Sequence, residues 1–157
     1  DENSDSKIRK HLQDAIDKTI LLDGSSTLTL LNIDTDKKKA HTLYIGDSLF
    51  MIARLNLKTN EYEKHFISYD QIHAFNLPYQ VGKEADSSES AKLDEHDIRN
   101  KDLFILATDG LWDNLDVNMI ISLINNSENK DNKTHDINTK SLAKKLSKEA
   151  RKVSFDR

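Results

Sequence analysis

The sequence contains no cysteine, so neither a disulfide framework nor a thiolate metal site can form. It has no apolar run near the roughly 20 residues that cross a bilayer as a helix. Its opening, Asp1-Glu2-Asn3-Ser4-Asp5, is acidic where a signal peptide is basic. A basic excess is missing too. The formal net charge is -4, which gives no broad attraction to nucleic acid or an anionic membrane, so any phosphate ligand must find its cations locally. The histidines His11, His41, His65, His73, His96 and His135 show no paired spacing of the zinc type, and each reads as structural or exposed. The chain has no internal repeat and does not begin with Met, which suggests a processed product or a cut chain.

The 157 residues suffice for one domain with one substantial core. With 36% hydrophobic and 32% charged residues, a modest core with long solvated insertions near 82–100 and 125–137 is expected. From Ser6 to Ile20, Ile8, Leu12, Ala15, Ile16 and Ile20 recur at helical spacing, with Asp5 or Ser6 as a candidate cap. Residues 25–33 alternate polar with apolar, and 40–45, 49–55 and 61–67 are further strand-like runs, the last two joined by an ordinary hairpin loop. Together these segments predict an antiparallel meander. The polar stretch from Val81 to Asp102 is expected to be a mobile loop. Leu103 to Thr108 is the most apolar run in the chain and predicts a strand buried on both faces. Asp116 then caps a predicted helix carrying Val117, Ile120, Ile121 and Ile124. A last helix from Thr139 repeats Leu142, Leu146, Ala150 and Val153.

The strongest chemical signal is Ala107-Thr108-Asp109-Gly110-Leu111-Trp112-Asp113-Asn114. Two carboxylates four residues apart follow a rigid strand, and Gly110 is expected to allow a sharp turn that brings Asp109 and Asp113 to one hard cation. Oxygen-only ligands favour magnesium, manganese or calcium over zinc. The same residues also suit a plain turn, with Asp113 capping a short helix. Tyr44-Ile45-Gly46-Asp47-Ser48 is a second Gly-Asp pair between strands, and alone it requires no more than a tight turn. Trp112 and Phe104 are expected in the core, and Lys37-Lys38-Lys39 at a solvated hairpin tip.

In this order and setting, Gly24-Ser25-Ser26-Thr27, Ile45-Gly46-Asp47-Ser48 and Leu106 to Asp113 resemble three motifs of the protein phosphatase 2C family. His73-Ala74-Phe75-Asn76-Leu77-Pro78-Tyr79-Gln80 is similar to a segment of the branch that includes mitochondrial and T-cell-activation phosphatases. The resemblance covers about residues 23–125. It implies an α+β fold, an antiparallel β-sandwich flanked by helices, present here as part of one domain. It further implies hydrolysis of phosphoserine or phosphothreonine in proteins by water activated by two cations, Mg2+ or Mn2+. Asp109 matches a ligand of the metal centre, and Asp47 and Asp113 match ligands of an additional, weaker metal position. The implied partner is a phosphoprotein, with no nucleic acid or membrane. The implied address is intracellular, cytoplasmic or mitochondrial.

Several family features are absent. The early acidic pair and the Asp-Gly-X-Gly-Gly motif have no counterpart, since Asp23-Gly24 runs into Ser25-Ser26, and no late Asp-Asp pair precedes Arg157. The family's phosphate-binding arginine is missing as well: Arg9 falls in a predicted helix, and Arg54 reads as a solvated strand residue. Two other functions therefore stay open. A chain that keeps the fold without the ligands would be a catalytically silent binding or scaffold protein. A haloacid-dehalogenase-like phosphotransferase also sets an aspartate after a buried strand, but it needs a second Asp two residues later, where Leu111 stands, and a doubly wound parallel sheet.

Overall fold

The computed structural model describes residues 2–19, 21–83, 85–127 and 136–156. In chain order the elements are α1 (Glu2–Thr19), β1 (Ser25–Ser26), β2 (Leu28–Asp34), β3 (Lys39–Ile45), β4 (Leu49–Asn56), β5 (Glu61–Ile67), β6 (Ile72–Ala74), β7 (Leu77–Pro78), β8 (Val81–Gly82), β9 (Lys92–Asp97), β10 (Leu103–Ala107), α2 (Asp109–Trp112), α3 (Val117–Asn125) and α4 (Thr139–Phe155), with a 3-10 turn at Ser88–Ser90. The expected fold class of helices with antiparallel sheets is what forms. None of the described helices is long and apolar enough to cross a membrane. The chain divides into two compact units, residues 1–49 with 69–98 and residues 50–68 with 99–157. Among the described residues there are two apolar clusters, one in each unit.

In the first unit the sheet order is β2-β3-β9. β2 and β3 form an antiparallel hairpin from Leu28 opposite Ile45 to Asp34 opposite Lys39, and its turn closes on Asp34, whose Oδ1 accepts the Lys37 N–H at 2.9 Å. β9 runs antiparallel to β3, with Tyr44 opposite Lys92 and Lys39 opposite Asp97. The Val81–Asp102 stretch is thus not a mobile loop throughout. The sequence Lys92 to Asp97 hides its strand because it has a single apolar residue, Leu93, and is held by the backbone ladder to β3. α1 begins at Glu2, so Asp5 and Ser6 lie inside the helix and do not cap it, and Ile20 lies outside the described residues. Its stripe of Leu12 and Ile16 packs with Leu43, Ile45 and Ala91. Arg9 pins the helix by donating from Nη1 to the carbonyls of Ser88, Glu89 and Ala91, at 3.2, 3.1 and 2.8 Å.

In the second unit the sheet order is β10-β4-β5. The expected meander is therefore split: β3 and β4 belong to different sheets, because the turn at Gly46-Asp47-Ser48 sends the chain out of the first sheet instead of folding it back as a hairpin. Met51 and Ala53 of β4, Tyr62 of β5 and Ile105 of β10 pack against Leu111, Leu115, Ile120 and Ile124, and against Leu142, Leu146 and Ala150 of α4. The apolar stripe of the last predicted helix does face the core. β10 is not buried on both faces, since it lies at the edge of its sheet and Leu106 is 41% exposed. Asp116 caps α3 as expected, its side chain accepting the Met119 N–H at 2.8 Å. Residues 128–135 of the expected polar loop, with His135, lie outside the described residues.

Candidate metal centre

The turn bearing Asp47 is braced on both sides. Gly46 donates its N–H to Gln71 Oε1 at 3.3 Å and accepts the Gln71 N–H at 3.0 Å, while Gln71 Nε2 donates to the Ser90 carbonyl at 2.7 Å. On the other side Ser48 is buried, its Oγ 2.7 Å from Thr27 Oγ1 and its carbonyl accepting from Thr29 Oγ1 at 2.6 Å. Gly46 has φ +99°, and a Cβ there would strike Thr27 Cγ2 and come within 2.5 Å of the Tyr79 carbonyl. Glycine is required at this position, and it fixes where Asp47 leaves the turn.

The second acidic loop is built differently. β10 leads into α2, which is anchored by buried Leu111 and by Trp112, whose Nε1 donates to the Ala107 carbonyl at 2.9 Å. Trp112 packs on the core as expected. Asp109 opens α2, its Oδ1 accepting the Gly110 N–H at 2.7 Å, and the Asp113 N–H closes the turn on the Asp109 carbonyl at 2.8 Å. Both carboxylates are exposed. Four residues apart on one helical turn, they share a face with their Cβ atoms roughly 6 Å apart. Asp113 does close the short helix α2, as its C-cap and through its backbone N–H, while the side chain that caps α3 is that of Asp116. Gly110 does not make a sharp turn: its φ is not positive, and a Cβ would meet only Thr108 Oγ1 at 3.7 Å.

These two glycines lead to opposite expectations. Gly46→Ala should lower stability by at least about 2 kcal/mol through backbone strain and overlap. Gly110→Ala should be neutral or raise stability by up to about 1 kcal/mol, since alanine suits a helix better. Urea unfolding of both variants checks the pair, and equal losses would contradict it.

Asp47 belongs to the first unit, and Asp109 and Asp113 to the second. Among the described residues of either unit, no three His, Asp or Glu side chains are grouped to hold a metal ion. The donors fit magnesium or manganese in kind, being hard carboxylate oxygens, but each unit alone falls short in number. The other proposed roles are also resolved by geometry. Arg54 is not a solvated strand residue. It forms a two-pronged ion pair with Asp102, Nε to Oδ1 at 2.9 Å and Nη2 to Oδ2 at 2.7 Å, with the side chains 14% and 2% exposed. The pair spans 48 positions of sequence, so no local pattern could announce it. Arg9 is a structural latch. His73 is stacked on Tyr79 and lies 2.8 Å from Asp86 Oδ1.

A family model, Protein phosphatase 2C, matches residues 64–154, more than half of the chain. The chain belongs to the protein phosphatase 2C family. The match includes the loop of Asp109 and Asp113, while Asp47 lies before it. Among similar proteins, 5-azacytidine resistance protein azr1 of Schizosaccharomyces pombe is 35% identical over 64% of this chain and 34% of its own length. Protein phosphatase PTC7 homolog is 30% identical in Danio rerio, over 85% of this chain and 44% of the relative. The chain thus spans less than half the length of these relatives. Its fold is similar to part of the photosystem II phosphatase PBCP, with a TM-score of 0.69 at 21% identity over 94% of this chain and 54% of that one. The catalytic domain of the serine/threonine phosphatase PstP, solved with 2 manganese ions, gives a TM-score of 0.57 at 17% identity over 82% and 53%.

The antiparallel pairing of β2 with β3, β3 with β9 and β4 with β5 leaves no place for the doubly wound parallel sheet of a haloacid-dehalogenase-like enzyme.

Proposed function

We propose that the protein, in its full natural length, is a metal-dependent phosphatase that hydrolyses phosphoserine or phosphothreonine in proteins, with both units belonging to one catalytic domain. The observation that carries this reading is the phosphatase 2C match across the Asp109 loop, where two exposed carboxylates share a face and the side chain that caps α3 is Asp116, not Asp113. Asp109 would be the ligand of the metal centre, and Asp47 and Asp113 would hold the weaker position, with Mg2+ or Mn2+ as the cation. When bound, the cations supply a nucleophile from water at neutral pH and offset charge on the phosphoryl oxygens.

The chain's own residues set the positions. Leu111 and Trp112 anchor α2 so that Asp109 and Asp113 stay at its exposed face. Repulsion between these two carboxylates, a few tenths of a kcal/mol at this spacing, is relieved when a cation binds. Gln71, Thr27 and Thr29 hold the Asp47 turn in place. The substrate is a phosphoprotein, with no nucleic-acid or membrane partner, and the setting is cytoplasmic or mitochondrial.

The short supply of ligands in each unit supports one further expectation. The 157-residue chain by itself should release no phosphate from a phosphothreonine peptide above a buffer control, even in millimolar manganese, while calorimetry detects weak cation uptake. The full-length protein in the same assay should release phosphate, and only with a divalent cation. Robust release by the short chain would contradict the ligand assignment. A full-length protein without activity would favour the binding or scaffold reading instead.

A further inference from the structure

The distal end of the β4–β5 hairpin gathers positive charge in a chain whose formal net charge is -4. A groove of about 680 Å³ there is lined by Arg54, Lys58, Lys64, His65, Arg99 and Lys101. Glu63 is the one carboxylate in its lining, and it accepts from Asn56 Nδ2 at 2.8 Å. Arg54 is tied to Asp102, and Lys101 Nζ to Asp136 at 2.8 Å. Lys58, Lys64 and Arg99 have no carboxylate partner among the described residues. Gathering these three like charges beside one groove, with no carboxylate paired to them, is unfavourable and is relieved when an anion binds.

The backbone that presents these cations is fixed. The strand register shifts between Ile52 and Ala53: Ile52 pairs with Phe66 and Ala53 with Lys64, so His65 is the extra residue of a β-bulge. Bulges re-aim side chains, and here the His65 Nδ1 stands 3.5 Å from Arg54 Nη1. Arg99 sits on a turn closed by the Asp102 N–H on the Arg99 carbonyl at 3.1 Å and by Asp102 Oδ2 on the Arg99 N–H at 2.9 Å. The hydroxyl of buried Tyr62 donates to the Lys101 carbonyl at 3.0 Å and locks the same turn. An anion entering the groove therefore finds the backbone beneath its donors already ordered, which leaves only side-chain ordering to be met on binding.

We propose that this groove is an anion site that binds a phosphate group, free or carried on a peptide, at the opposite end of β10 from Asp109. The two ends of β10 are separated by four residue steps of extended chain, roughly 13 Å, so the groove is distinct from the acidic loop. The inference does not rest on the proposed hydrolysis. His65 supplies a built-in reporter. Burial first, and then the neighbouring Arg54, hold its imidazole below the usual histidine value, with Arg99 acting the same way and Asp102 opposing. Lys58, Lys64 and Lys101 are the other cations facing the groove and Glu63 the other carboxylate. A bound phosphate adds negative charge beside the ring and must raise that value.

The test is NMR titration of the 157-residue chain with inorganic phosphate, with a phosphoserine peptide and with the same peptide unphosphorylated. Saturable shifts confined to Lys64, His65 and Arg99, an upward move of the His65 midpoint, and at least a tenfold loss of affinity in Lys64→Gln and in Arg99→Gln are expected. Binding of both phosphate ligands identifies the phosphate group as what is recognised; binding of the phosphopeptide alone identifies phosphate carried on a chain. Neither substituted side chain has a carboxylate partner among the described residues, so the variants should keep the wild-type circular dichroism. The proposal is overturned if neither phosphate ligand shifts these resonances, if the unphosphorylated peptide binds equally well, or if folded variants bind as the wild type does.

Discussion

In the full-length protein, Asp109→Asn is expected to lower phosphate release from a phosphothreonine peptide by at least about 100-fold while leaving thermal unfolding in metal-free buffer nearly unchanged. The substitution removes the charge that a hard cation requires and almost no volume. The carboxylate is exposed, and its only bond among the described residues, Oδ1 accepting from the Gly110 N–H, can be kept by an amide oxygen. Asp47→Asn should cost less if Asp47 serves the weaker metal position. Turnover at saturating and limiting manganese, with unfolding curves for each variant, separates loss of a ligand from loss of fold. Unchanged turnover for Asp109→Asn would refute the assignment.

The second large effect concerns stability. Asp102→Ala is expected to destabilise the protein by roughly 3–5 kcal/mol, because it strands the guanidinium of Arg54 in a site where that side chain is only 14% exposed. It also removes the acceptor for the Arg99 N–H. The double replacement Arg54→Met with Asp102→Leu should lose much less than Asp102→Ala, since apolar groups of similar size remove both charges together. Denaturant unfolding of the two single variants and the double one forms a complete cycle. A double variant as unstable as the single one would mean that Asp102 acts through the Arg99 turn and not through Arg54.

The sequence showed most where a local pattern meets a local cause. The α3 cap is legible because Asp116 stands just before the apolar positions and reaches a backbone N–H three residues on. The stripe of α4 is legible because Leu142, Leu146 and Ala150 repeat at helical spacing and all are buried. What remained hidden depends on partners distant in sequence. β9 is a strand because β3 offers it a ladder, across a separation of some 50 residues, and its own composition argues for a loop. The parting of β3 and β4 into different sheets turns on Gly46, whose conformation is held by Gln71 and whose space is limited by Thr27 and Tyr79.

The candidate site divides in the same way. Asp47, Asp109 and Asp113 stand out as acidic residues at strand ends, and their family roles follow from motif resemblance. Yet the expected need for glycine was right at one motif and wrong at the other. A glycine beside an aspartate does not show in sequence whether it turns the chain, as Gly46 does, or continues a helix, as Gly110 does. Arg54 shows the converse failure. A charged residue in a half-buried strand looks solvated until the carboxylate that neutralises it, Asp102, is brought beside it by the fold.

The most direct test of the central claim is the position of the cation itself. Crystals of the full-length protein grown with manganese should show anomalous scattering at about 2.0–2.4 Å from carboxylate oxygens of Asp109, with Asp113 and Asp47 joining the site as manganese is raised. Manganese bound elsewhere, or Asp47 and Asp109 at opposite ends of the folded domain, would contradict the account.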